Sequence, residues 1–129
     1  MPRVSAAFFA LGVVYLLMGM MWGMYMGGAE DFTMMPAHAH LNLLGWVTMA
    51  IYGTLYALTH ASLSPKLAWT NFILAAGGVA VMIPSLALYL GGRDAKFIPG
   101  IVSGEVLTVL GLLVFAVSVW RELMRPRLG

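Results

Sequence analysis

His38 and His40 stand two residues apart in the stretch from Pro36 to Trp46, where Asn42 is the only other strongly polar side chain. Neutral imidazole is the commonest nitrogen ligand for iron, copper and zinc. An ionisable residue inside an apolar segment is a functional hypothesis by default. The spacing limits what the pair can do. Residues two apart on a regular helix lie about 200° apart around its axis and about 3 Å apart along it. The two rings then point to opposite flanks: they cannot chelate one ion, but each can reach a different ligand. The plain alternative is that each ring bonds a carbonyl or water at a membrane interface.

The elements that position this pair follow from composition. Of 129 residues, 61% are hydrophobic and 9% charged, whereas a soluble domain is about half apolar with roughly a quarter of its residues charged. No Asp, Glu, Lys or Arg lies between Arg3 and Glu30, Asp31 and Lys66, or Lys66 and Arg93, and between Lys96 and Arg121 there is only Glu105. Each interval holds one span of about 20 apolar residues. We therefore expect an all-α integral membrane protein, one transmembrane domain over 1–129, with helices near residues 4–27, 36–59, 67–91 and 98–120. Gly27-Gly28 should end the first, Gly91-Gly92 the third, and Pro84 should kink the third. The first span is too long for a cleaved signal and reads as a retained helix.

Basic residues set orientation. Arg3, Lys66, Arg121, Arg125 and Arg127 fall on one side, which predicts both termini in the cytoplasm of a multi-pass protein in a prokaryotic cytoplasmic (inner) membrane. The histidine pair then lies near the outer face. The net charge of +2 sits at span ends and gives no reason to expect nucleic acid as a partner. With no cysteine, disulfides, thiolate metal sites and covalent haem attachment are excluded.

A haem iron held by two imidazoles is one chemistry open to the pair. His60 is too far along the same helix to help His40, about 30 Å at 1.5 Å per residue, and reads as a solvated interfacial residue. The second imidazole must come from another chain. If every His40 meets a neighbour's His38, the chains close as a ring, with three copies the smallest plausible number. Gly19, Gly23 and Gly27 recur every fourth residue and allow close helix approach, within one chain or between chains.

At these residues the sequence resembles the catalytic subunit (subunit I) of the heme-copper oxidases and the related nitric oxide reductases. That family ligates its low-spin haem from an H-x-N motif on the second helix, matched by His40-Leu41-Asn42. Its tenth helix carries an H-x-H pair whose members serve two different haems, matched by His38-Ala39-His40. The family's twelve helices form three arcs of four about a pseudo-threefold axis. The resemblance implies that this chain is one such arc, assembling as a homotrimer around non-covalent haem b. The family's copper-site histidine cluster has no counterpart here, so a complete oxygen reductase is not expected. Electron transfer is, with a quinol or another electron carrier as partner.

Other residues take supporting roles in this reading. Arg93 and Lys96, on the same side as the histidines, are candidates for haem propionates, or for plain anchoring beside Asp94. Gly45 could leave room for a flat macrocycle. Glu105 is a candidate proton carrier, a hydrogen-bond acceptor for a ligand histidine, a group lining an aqueous crevice, or a structural helix–helix contact. The methionines from Met18 to Met35 read mainly as packing, with thioether ligation as the alternative. Tyr15 and Trp22 read as packing and interfacial residues, and Thr48, Asn71 and Ser85 as bonds between helices. The rival functions are a haem-based gas or redox sensor, a copper-binding assembly factor using the histidines and methionines, and an accessory subunit without cofactor.

Overall fold

The computed structural model describes residues 1–127. Its elements are α1 (Arg3–Ala29), α2 (Met35–Asn42), a π turn (Leu43–Val47), α3 (Thr48–Leu58), α4 (Pro65–Gly92) and α5 (Ile98–Leu123), with 3₁₀ turns at His60–Ser62 and Ala95–Phe97. No strand occurs among the described residues. Because α2, the π turn and α3 run on as one unit, four helices are long and apolar enough to cross a membrane: Arg3–Ala29, Met35–Leu58, Pro65–Gly92 and Ala95–Leu123. The second is the least apolar of the four, since it carries the histidines and Asn42.

Gly91-Gly92 closes α4 as expected, since its last residue is Gly92, whereas α1 runs one residue past Gly27-Gly28 to Ala29. The stops are the next polar residues, Glu30 (φ 51°) and Arg93 (φ 55°), which take the left-handed conformation usual just past a helix end. α4 begins at Pro65, whose missing N–H costs nothing in a first turn, and Ser64 Oγ accepts from Leu67 N–H at 3.5 Å. α4 continues through Pro84 as one helix.

Four crossings return the chain to its starting side. At that terminal end, Phe8 of α1, Tyr52 and Tyr56 of α3, Phe72 of α4 and Phe115 of α5 form one aromatic cluster, with ring centroids 4.4–6.1 Å apart between successive pairs. Some buried polar groups are bonded there, although Ser5 Oγ and Asn71 Oδ1 have no partner among the described residues. Asn71 Nδ2–H donates to Tyr56 Oη at 3.0 Å, and Tyr56 lies 3.4 Å from Ser118 Oγ. At the opposite, distal end, Leu41 packs with Val79, Met82 and Ile83. Met34 Cε lies 3.6 Å from where a Cβ on Gly91 would be, so α2 starts where α4 ends.

α4 and α5 lie against each other along their length. Gly78 and Gly104 make this possible: a Cβ on Gly104 would run into the Met82 backbone, and one on Gly78 into Thr108. α1 packs against α2, the π turn and α3. α5 fully buries only Gly104 and Gly111, and its remaining surface is an apolar face suited to lipid contact.

Candidate functional site

α2 is a regular helix from Met35 to Asn42, so both histidines sit on undistorted turns, and the π turn begins only after them. Their side chains diverge as the spacing requires. His38 turns toward α1, where a Cβ on Gly23 would lie 2.8 Å from its Cε1. His40 lies away from α1 and is exposed.

The His40 ring is fixed in orientation. Its Nδ1 lies 2.6 Å from the Pro36 carbonyl oxygen. A carbonyl can only accept, so Nδ1 carries the proton and the Nε2 lone pair is free. A histidine whose second nitrogen donates to a backbone carbonyl is the usual arrangement of a metal ligand.

His38 is held differently. The ring is half-buried, and its Nε2 lies 3.5 Å from Asn42 Nδ2, one turn on. Its Nδ1 and Asn42 Oδ1 are both buried without a hydrogen-bond partner among the described residues. Such orphaned groups are uncommon in native interiors and call for an explanation. The same two side chains fill the space left by the glycines of α1: Asn42 lies against Gly19 and His38 against Gly23. Packing within the chain therefore accounts for two members of the glycine repeat, while Gly27 faces open space.

No family model, curated protein or solved structure matches this chain.

The surroundings revise several expectations. Gly45 does not face open space, because a Cβ there would lie 2.8 Å from Tyr15 Cβ and 3.1 Å from its ring. α1 occupies the room assigned to a macrocycle. Tyr15, read from the sequence as a packing and interfacial residue, also donates from its hydroxyl to the Ala76 carbonyl at 3.0 Å, tying α1 to α4. Nothing in a single sequence marks that tyrosine out from the others. Thr48 and Ser85 bond carbonyls of their own span, Leu43 O at 2.9 Å and Val81 O at 2.8 Å, rather than other helices. Asn71 does reach across helices.

Arg93 and Lys96 lie at the distal end with the histidines, both exposed. The Arg93 guanidinium stands 5.4 Å from the Tyr89 ring centroid, and the Lys96 ammonium lies 3.4 Å from Asp94. Both can turn toward a carboxylate at little cost, since exposed pairs contribute about 0–1 kcal/mol. Glu105 is exposed on α5, and no hydrogen bond or ion pair holds it among the described residues. Glu105 therefore bonds neither a histidine nor another helix among the described residues. Met18, Met20, Met21 and Met24 point outward from α1, so they do not fill the interior, whereas Met26 does. His60 is exposed, and its Nδ1–H donates to the Ala57 carbonyl at 3.2 Å.

Among the described residues, no three His, Cys, Asp or Glu side chains converge as a metal cluster. Within one chain the site offers two single imidazole ligands on opposite flanks of α2. One of them presents a free nitrogen at the surface.

Proposed function

We propose that this chain is a membrane b-type haem protein in which neighbouring chains share each haem between two imidazoles, and that it carries electrons. The observation that supports the reading best is His40: an exposed ring in an apolar span, with Nδ1 bonded to Pro36 O and Nε2 free. A ring nitrogen left without a partner at that position is costly for a purely structural residue. His38 fits as the second ligand once its 3.5 Å contact with Asn42 gives way. Ligation through Nε2 would leave Asn42 free to turn its amide to the orphaned acceptors and donors nearby.

Haem, when bound, supplies a one-electron iron couple; the chain supplies ligands, an apolar surround and charge. Arg93 and Lys96 are the cations placed to neutralise propionates. The histidine motifs, His38-Ala39-His40 and His40-Leu41-Asn42, resemble those of the heme-copper oxidase catalytic subunit. On that reading the four spans are one arc of that architecture, assembled as a homotrimer in a prokaryotic inner membrane. Both termini are cytoplasmic, as the basic residues at the terminal end favour.

The test is haem titration of detergent-purified chains carrying His38→Ala, His40→Ala, and a mixture of the two co-expressed. Each variant alone keeps one imidazole per site and loses the six-coordinate low-spin spectrum. Mixing places an intact His40 opposite an intact His38 at some interfaces and restores part of that spectrum. Loss without restoration on mixing would contradict sharing between chains. Unchanged spectra in both single variants would remove these histidines from haem binding altogether.

A further inference from the structure

α3 and α5 meet through Tyr52 and Tyr56 against Phe115. Beside that contact a groove of about 480 Å³ runs along α3, walled by Val47, Ile51, Leu55 and Leu58 among others. Ile51 and Leu58 are exposed. The one hydroxyl in these walls, on Thr54, is already bonded to Ala50 O at 2.7 Å. From Val47 to Leu58 the helix climbs about 16 Å, close to half of a hydrocarbon core of about 30 Å. The groove thus has the length of one leaflet.

Its character changes toward the terminal end. Leu55 also walls a second hollow, of about 720 Å³, lined by Arg125 and Arg127. That hollow shares Arg125 and Glu122 with a third, of about 420 Å³, lined by Arg121, Ser62, Ser64 and Ser118. The only acid in these walls is engaged: Ser62 Oγ–H donates to Glu122 Oε2 at 2.6 Å, and Arg125 Nη1 lies 3.6 Å from Oε1. Three arginines against one engaged carboxylate leave the mouth of the groove positive. Arg121 and Arg127 form no ion pair among the described residues.

We propose that the groove and its mouth bind one anionic phospholipid, with an acyl chain along α3 and the phosphate among Arg121, Arg125 and Arg127. Lipid tails fill any apolar groove; cations at headgroup depth select the sign of the lipid. Guanidinium groups hold phosphate oxygens through paired N–H donors. A zwitterionic headgroup brings an ammonium into the same positive field and gains less. A free phosphate meets the cations but leaves the groove unfilled. Nothing in this proposal depends on haem.

The probe is phosphatidylglycerol, offered to the detergent-purified full chain with an equal amount of phosphatidylcholine of the same acyl chains. Native mass spectrometry counts the lipid retained. We expect one phosphatidylglycerol per chain at saturation, retained in preference to phosphatidylcholine. Arg121→Gln and Arg125→Gln should each weaken retention roughly fivefold, the effect of one basic residue near an anionic headgroup. Both side chains are exposed, so the thermal midpoint should hold. Ile51→Trp, at an exposed position in the groove, should weaken retention by obstructing the tail. Glycerol 3-phosphate should not displace the lipid. Equal retention of the two lipids, or unchanged retention in both arginine variants, would reduce the groove to ordinary lipid contact and overturn the proposal. Displacement by glycerol 3-phosphate with Ile51→Trp unaffected would leave a phosphate site without a lipid, and overturn it too. So would an absence of retained lipid together with loss of the oligomer in Ile51→Trp, which gives the groove to a second copy of the chain.

Discussion

A single carbonyl distinguishes the two histidines. Pro36 O fixes the His40 tautomer at 2.6 Å, whereas His38 rests on Gly23 with a buried Nδ1 that bonds nothing among the described residues. Gly23 is thus the residue that most directly sets where His38 sits. In Gly23→Ala the new Cβ meets His38 Cε1 at 2.8 Å, and the ring must move. We expect a thermal destabilisation of about 1–3 kcal/mol, the usual cost of overpacking, with haem affinity falling and the helical circular dichroism retained. Arg93→Gly tests the propionate role from the other side. Glycine suits the left-handed conformation at φ 55°, so helix stability should hold or rise. A drop in haem affinity in that variant would then report lost charge rather than lost structure. At the first connection, the Thr33 hydroxyl and then its N–H hold the Asp31 carboxyl below the ordinary carboxylate range. A depressed carboxyl stabilises the fold above its unfolded pKa, and that support is lost as pH falls through the folded value. Hydrogen exchange at Thr33 should therefore rise in acid below the ordinary carboxylate range, and not near neutral pH. The divergence of His38 and His40 was legible from spacing alone, because α2 is regular where they lie. Their unequal surroundings were not, since Gly23 is fifteen positions earlier on another helix.

The spans were readable because the intervals between charges are long and apolar, and each holds one helix. The end of α4 at Gly91-Gly92 was legible as well, while α1 runs one residue past Gly27-Gly28, because glycine in an apolar helix continues the hydrogen-bond ladder. The chain stops at Glu30 and Arg93, where polar side chains reach the interface. The π turn at Leu43–Val47 left no mark in the hydrophobic pattern, although Gly45 lies within it and lets Tyr15 approach. Such turns are frequent near functional sites, and this one directly follows the H-x-N stretch. α5 is the most exposed of the spans, and Glu105 is the one acidic residue within its membrane-facing length. An acidic residue at a helix centre in the bilayer costs about 2.5–3.5 kcal/mol when charged. Glu105→Leu should raise the thermal midpoint and leave haem binding unchanged, as read by a melt and a haem titration on the same sample. Loss of assembly in that variant would instead assign Glu105 to a contact between chains.

The whole molecule holds its aromatic core at the terminal end and its histidines at the distal end. One side is built for stability; the other presents imidazoles on two flanks of a single helix. A lone chain does not bring a second imidazole to either ring with that geometry, because His38 and His40 diverge on regular α2 and His60 lies beyond the other end of the same span. On the proposed reading, closure into a ring would supply a second ligand at every interface and make the number of haems equal the number of chains. The measurement that tests this most directly is the absorption spectrum of the detergent-purified protein, oxidised and dithionite-reduced, with iron and protein quantified on the same sample. The account predicts sharp reduced bands of a low-spin b-type haem at about one iron per chain. A colourless protein, after expression with ample haem, would contradict it.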